Sequence, residues 1–246
     1  MALRTWLVIP DLHVPFQDAR FIQLVSKIIT LLKPDGVVQL GDAIDWWQLS
    51  KYAKDPTRTR DAFDDLAEYA GLLDEWEALL PEGCEWRQLQ GNHEHRLERY
   101  VAEKAPDLAK MIRSMTEMLR FPERNKRGGL WRWFEMGNWR ACKLGDVVLH
   151  HGFYFSEHTA HRILQKYKCK MVTGHTHRVQ LVSDGDLWAA TLGHGSKEDE
   201  TSHAPVRTGW QQALGVLSID PQGRGHLEVI LVDRGQCIFR GQHVQA

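Results

Sequence analysis

Aspartate, asparagine and histidine recur in five short clusters along this chain. They are Asp11-Leu12-His13, Gly41-Asp42 with Asp45 close behind, Gly91-Asn92-His93-Glu94, His150-His151-Gly152, and Gly174-His175-Thr176-His177. Carboxylate oxygen, amide oxygen and imidazole nitrogen suit divalent first-row metals, and no cysteine stands among them, which disfavours soft-metal sites. Each cluster alone is a weak signal. Gly-Asp is a common turn, and an isolated Asn92 could cap a helix. His-x-His on a strand puts both imidazoles on one face, because side chains alternate. Together, five clusters that each end a strand argue for a metal centre. Glycine sits beside most of them, where the backbone must turn and leave room for a ligand.

The elements that must position these groups follow from hydrophobic period. Residues 5–10, "TWLVIP", read as a buried strand. Phe21, Leu24, Val25, Ile28 and Leu32 have helical spacing, with Asp18 placed as cap. "GVVQL" at 36–40 is a second strand, so the chain begins with a βαβ unit and a parallel pair. Residues 60–80 carry Leu66, Tyr69, Leu73, Trp76 and Leu80 on one helical face, and 85–90 form the next strand. A charge-rich helical pattern runs from 93 to about 120, and 121–138 lack a clean period.

The second half reads as mostly antiparallel. A hairpin spans 139–152 through Gly145-Asp146, a helix covers 157–168, and "KMVTG" is a strand. Two further hairpins follow, one through "DG" at 184–185 and one through "PQGRG" at 221–225. Two sheets packed face to face, with helices outside, would bury both sets of strands. Parallel strands deliver their carboxyl ends to one edge of a sheet, where ligands of α/β proteins bind.

Composition bounds the alternatives. The chain has 246 residues, 43% hydrophobic and 26% charged, with a net charge of −1, so no global charge recruits nucleic acid or an anionic membrane. No apolar run approaches the roughly 20 residues needed to span a bilayer. No signal peptide is evident, and four scattered cysteines fit reduced thiols; a cytoplasmic protein is expected.

In their order, D-x-H, G-D-x-x-D, G-N-H-E, H-G and G-H-T-H resemble the calcineurin-like metallophosphoesterase superfamily from Asp11 to His177. The resemblance implies an α/β fold: a four-layer α/β/β/α sandwich of two mixed sheets flanked by helices. A single domain would cover 1–246, with a helical and irregular cap insertion at about 94–140. It also implies two divalent metal ions. Asp11, His13, Asp42 and His177 would hold one; Asp42, Asn92, His151 and His175 the other, with Asp42 bridging. His151 is preferred over His150 because it directly precedes the glycine. Manganese is favoured, and Fe, Zn, Co or Ni also fit the donors. A bridging hydroxide would attack phosphorus in line, with His93 assisting the leaving group and Asp45 orienting that imidazole. An aspartate that merely caps a helix is the other reading of Asp45. Two divalent ions against two carboxylates and a hydroxide leave the centre net positive. An amide at Asn92 adds a ligand without cancelling the charge that attracts a phosphate anion.

The implied function is a dinuclear metal-dependent hydrolase of phosphate esters. A phosphodiesterase of nucleotide or nucleic-acid type is preferred over a phosphomonoesterase. The alternative is a non-catalytic protein-interaction scaffold that retains the fold; the full set of expected ligands argues against it. Protein phosphatases of the superfamily carry an arginine after the second aspartate of G-D-x-x-D, where this chain has Trp46. Trp46 and Trp47 could stack on a base or pack beneath a helix. Arg178, directly after the last cluster, and Arg96 are candidates for substrate phosphate. The basic residues and tryptophans of 94–140 suit a nucleic-acid cap or a solvated helix face with a hydrophobic lid. The loop 194–209, with His194 and His203, could overhang the metals or be a plain surface loop.

Overall fold

The computed structural model describes residues 2–197 and 209–246. The expectation for His203 lies outside the described residues.

The chain opens as its period predicts. Strand β1 (Arg4–Ile9) leads to helix α1 (Ala19–Leu32) and strand β2 (Gly36–Gln39), and β1 pairs parallel with β2. Asp18 caps α1 by accepting the Arg20 N–H. Helix α2 (Ala62–Glu77) starts with a reciprocal capping box between Asp61 and Asp64. Strand β3 (Glu85–Leu89) then lies parallel to β2. Helices α3 (His95–Lys104), α4 (Met115–Met118) and α5 (Phe121–Lys126) follow, and strand β4 (Leu130–Phe134) returns parallel to β3. The irregular expectation for 121–138 is therefore corrected at 121–126, a helix, and at 130–134, a strand. Trp131 stacks on buried Trp86, which stacks in turn on Trp76, at centroid distances of 4.9 and 5.9 Å. Burying such rings stabilises by about 1.5–3 kcal/mol each, enough to dock a short strand.

Strands β5 (Lys143–Leu144) and β6 (Val147–His150) form the predicted hairpin. Helix α6 (Thr159–Tyr167) crosses to β7 (Lys170–Thr173), and β8 (Gln180–Asp184) turns back into β9 (Leu187–Thr191). These make a sheet in the order β5-β6-β7-β9-β8. Its centre is parallel, β6 to β7 and β7 to β9, so the mostly antiparallel expectation fails here. The reason is the α6 crossover, which brings β7 in alongside β6 in the same direction. Strands β10 (Gln212–Ile219) and β11 (Gly225–Val232) join the first sheet instead, giving β11-β10-β1-β2-β3-β4. A last hairpin, β12 (Gln236–Phe239) and β13 (Gln242–Gln245), stands apart and was not anticipated.

Alternation along the strands builds the layers. Leu7 and Ile9 of β1 face α1 and α2, packing on Phe21, Leu24, Ile28 and Leu73. Trp6 and Val8 face the second sheet and meet Val147, Leu149 and Val172. Val148 and Met171 point outward under Ile163 and Leu164 of α6. The result is the four-layer α/β/β/α sandwich. Among the described residues no helix is long and apolar enough to cross a membrane.

The segment 94–140 packs beside the first sheet. Arg124 is fully buried, donates to Ala70 O and Leu119 O, pairs with Asp74 and Glu77 of α2, and lies over Trp131. Arg120 and Arg127 pair with the same two acids, and Arg132 with Glu85. These cations tie the segment to the sandwich rather than forming a basic face.

One close contact helps to set the register of the pair that carries the first two clusters. Gly36 stands opposite Trp6, and a Cβ there would lie 2.2 Å from the Trp6 ring. That ring is wholly buried and has nowhere to move. Gly36→Ala is expected to destabilise the protein by roughly 1–3 kcal/mol, read as a lower urea midpoint with an unchanged slope. An unchanged midpoint would show that the register does not depend on this contact.

Candidate metal centre

The five clusters converge. Strands β1, β2 and β3 run parallel in one sheet, β6 and β7 in the other, and the turns after them meet at one end of the sandwich. Several site residues sit in left-handed backbone: His13, Asp42, His175 and His177 have φ of 54°, 49°, 71° and 57°. Non-glycine residues held there cost on the order of 1–3 kcal/mol each and concentrate at functional sites.

One group is formed by Asp11, His13 and His177, whose ligand atoms lie within 4.8 Å of one another; Asp42, His151 and His175 form another. His13 Nε2 faces His177 Nε2 at 2.9 Å, and His177 Nε2 is 3.3 Å from Asp11 Oδ2. Two imidazole nitrogens tolerate that approach only with a proton or a cation between them. In the second group His151 Nε2 is 3.2 Å from both Asp42 Oδ2 and His175 Nδ1, and 2.9 Å from Asn92 Oδ1. The other nitrogen of His151 donates to Leu40 O at 3.1 Å, which turns Nε2 toward the group. Asp11 Oδ1 and His177 Nδ1 are buried without a hydrogen-bond partner among the described residues. Buried polar atoms are rarely left so; the atoms that face the group are Asp11 Oδ2 and His177 Nε2, and their close approach to each other and to His13 Nε2 is what a cation would satisfy. The donor set fits two divalent ions.

Charge supports the same picture. Burial alone would raise the Asp42 carboxyl, but His151 and His93 beside it hold it well below the usual range. Asp11 is likewise lowered against its burial, chiefly by His177. Burial pushes His175 down to about 4 and lowers His177, leaving neutral rings with free lone pairs. His151 moves the other way: against its burial, Asp42 pushes it up to about 9.

His93 lies on the same cleft. Its Nδ1 is 2.8 Å from Asp45 O and 3.2 Å from Asp45 Oδ2, and Arg96 donates to its Nε2 at 2.9 Å. Its backbone N–H donates to Asp42 Oδ1 at 2.8 Å. Asp45 also meets His13 Nδ1 at 2.9 Å, so one carboxylate orients two imidazoles. Burial would raise Asp45, but His93 and His13 hold it far down, so it stays an anion.

Two expected substrate groups are placed elsewhere. Trp46 is 2% exposed, with its indole N–H on Ala62 O at 2.9 Å, and belongs to the core beside α2. Its left-handed backbone (φ 48°) turns Trp47, not Trp46, into the cleft. Arg178 lines a smaller neighbouring cavity with Phe155, Ser156 and Thr176. Arg96 does line the main cleft, the one lining residue drawn from 94–140. His150 turns away, stacked on Phe153 at 3.9 Å. His194 does not overhang the site; it is buried behind His177, their rings stacked at 5.0 Å.

Sequence reasoning missed three things. Glu94 is buried, and its carboxylate accepts the N–H groups of Asp42, Ala43, Ile44 and Gly91 at 2.7–3.1 Å, which fixes the turn bearing Asp42. Burial and Asp42 push Glu94 up to about 7 against those donors. Its place in the G-N-H-E block was the available signal. The second omission is the cleft wall that Tyr52, Lys54 and Arg58 form beside Trp47, from a stretch with no period to flag it. The third is Trp210, edge-on to His177 at 4.3 Å. The cleft holds about 550 Å³.

Among solved structures, Vacuolar Protein Sorting 29 from Cryptosporidium parvum superposes with a TM-score of 0.53 at 13% identity, covering 100% of both chains. Vps29 from Chaetomium thermophilum gives 0.51 at 14%, covering 94% of this chain and 92% of that one. Yfce, a phosphoesterase from E. coli, gives 0.44 at 14%, covering 98% of each. A search of curated proteins finds no match in sequence. The calcineurin-like phosphoesterase family model matches residues 5–179, most of the length and all five clusters, and the chain belongs to that family.

Proposed function

We propose that the protein hydrolyses phosphate esters, diesters in preference to monoesters, with two divalent cations. Asp11, His13, Asp42 and His177 would hold one and Asp42, Asn92, His151 and His175 the other, manganese being favoured for these donors. The observation that carries this reading is the convergence of distant clusters, which brings ligand atoms of Asp11, His13 and His177, and of Asp42, His151 and His175, within 4.8 Å of one another. When bound, the cations supply Lewis acidity and a water that ionises near neutral pH.

The chain's own groups do the rest. His93 keeps its Nδ1 proton on Asp45 and presents Nε2 to the cleft; as an imidazolium, once Arg96 turns away from Nε2, it would pass the Nε2 proton to the leaving oxygen and remain the neutral Nδ1–H ring. Asp45 is the positioning residue for that ring. Arg96 donates to His93 Nε2 and to Asp45 O, and its guanidinium can turn to an incoming phosphate. The cleft runs past the ligands to the wall at 47–58, leaving room on both sides of a phosphorus, which favours diesters. A scaffold role is the reading that shared fold with Vps29 structures suggests, but a scaffold has no need of buried carboxylates and imidazoles gathered at ligand distance.

An aryl phosphate diester and the matching monoester, assayed side by side with Mn²⁺, test the proposal. Diester turnover should be faster and absent in Asp42→Asn; no turnover of either ester would sink it. His93→Ala should lower kcat by about 10²–10⁴-fold while the protein still retains Mn²⁺ by elemental analysis. An unchanged rate would remove His93 from the mechanism. Glu94→Gln should weaken Mn²⁺ binding by about 10–100-fold in calorimetry, since an amide cannot accept from all four N–H groups. Wild-type affinity would show that the Asp42 turn holds without it.

A further inference from the structure

The wall at 47–58 has a composition that ester hydrolysis alone does not require. The Arg58 guanidinium lies over the Phe16 ring at 4.4 Å and over Trp47 at 5.6 Å, so two aromatic faces hold it at the cleft. Its Nε is 3.7 Å from Asp55. Lys54 donates to the Trp47 and Ser50 carbonyls, and the nearby Arg96 charge lowers its ammonium beyond the effect of burial. Lys54, Arg58 and Arg96 line one cleft with Asp55 beside Arg58, while the other lining carboxylates, Asp42 and Asp45, face imidazoles, so an anion entering on this side meets cations. Two large rings stand in water on the same cleft: Tyr52 is 68% exposed and Phe155 72%, the latter edge-on to His175 at 6.1 Å. A cavity of about 550 Å³ fits a ligand far larger than one phosphoryl group.

We propose that Arg58 and Lys54 form a second phosphate subsite beside the metal centre, and that the substrate is single-stranded nucleic acid, whose bases stack on Tyr52 and Phe155. The inference rests on the phosphodiester reading above and assigns its substrate class. Exposed aromatic faces interleaved with cations bind single strands, since every base offers a π-face. A duplex keeps its bases stacked internally and gains nothing from Tyr52 and Phe155. Arg58 also supplies, from a different segment, a guanidinium that the position after Asp45, occupied by Trp46, cannot.

Two measurements on the full chain test this. Fluorescence anisotropy with a labelled single-stranded oligonucleotide, without added metal, reads binding independently of turnover. Arg58→Ala and Tyr52→Ala should each weaken it by roughly five- to tenfold, and Arg58→Ala should reduce the salt slope of log affinity by about 0.7. In Mn²⁺, the ratio of kcat/KM for the oligonucleotide to that for a small aryl diester should fall at least about fivefold in Arg58→Ala, with Arg58→Lys intermediate. Hydrolysis of the aryl diester with an unaltered ratio and unaltered anisotropy would overturn the subsite and leave the phosphodiester reading standing. Weakened binding without hydrolysis of any ester would do the reverse. Preference for duplex or phosphopeptide over the single strand would also overturn it.

Discussion

Two carboxylates, Asp11 and Asp42, lie out of water at the end of the sandwich, and much of the surrounding structure answers that fact. A buried anion is costly unless charge and hydrogen bonds compensate it. Here each carboxylate is tied to the backbone of another cluster. His175 N–H donates to Asp11 Oδ2, and His93 N–H donates to Asp42 Oδ1, both at 2.8 Å. A Cβ on Gly174 or Gly91 would fall 2.1 Å from the oxygen of Asp11 or Asp42. Those two glycines are thus required by a neighbour's carboxylate, not by a turn of their own. Gly41, with φ 99°, and Gly152, with φ 156°, are the cluster glycines that do need backbone freedom. The linkage makes the clusters interdependent: displacing one loop withdraws a hydrogen bond from a buried charge on another.

The sequence disclosed what depends on local period or on short-range order. The β1-α1-β2 start, the Asp18 cap and the face of α2 follow from side-chain spacing, and the structure places them within a few residues. The five clusters were legible because metal-binding donors are chemically distinctive and occupy strand ends. What stayed hidden depends on contacts between distant segments. Strand β4 is only Leu130–Phe134, and it is a strand because Trp131 finds Trp86. The parallel centre of the second sheet depends on which strand α6 returns beside, which alternation cannot show. Glu94 was readable as a residue type but not as the acceptor for four N–H groups of two turns.

Trp46 shows how a wrong assignment at the site still has a physical consequence there. Asp45 and Trp46 are neighbours, yet one faces His93 and the other the core, because the backbone passes through the left-handed region at Trp46. The indole N–H on Ala62 O joins the two ends of the 47–61 stretch, and Gln48 on the buried Asp65 makes a second tie at 2.8 Å. Closing such a segment carries an entropic cost. Meeting it in the core lets Lys54 and Arg58 stand at the cleft without a helix or strand to hold them, with Trp47 at the start of a single 3₁₀ turn, Trp47–Leu49. The basic residues of 94–140 have the opposite fate. Arg120, Arg124, Arg127 and Arg132 are engaged by Asp74, Glu77 and Glu85, so their charge is neutralised locally and holds that segment against α2 and β3. In a chain of net charge −1, attraction for an anion therefore has to come from a few cations at the cleft and from whatever the buried carboxylates and imidazoles bind.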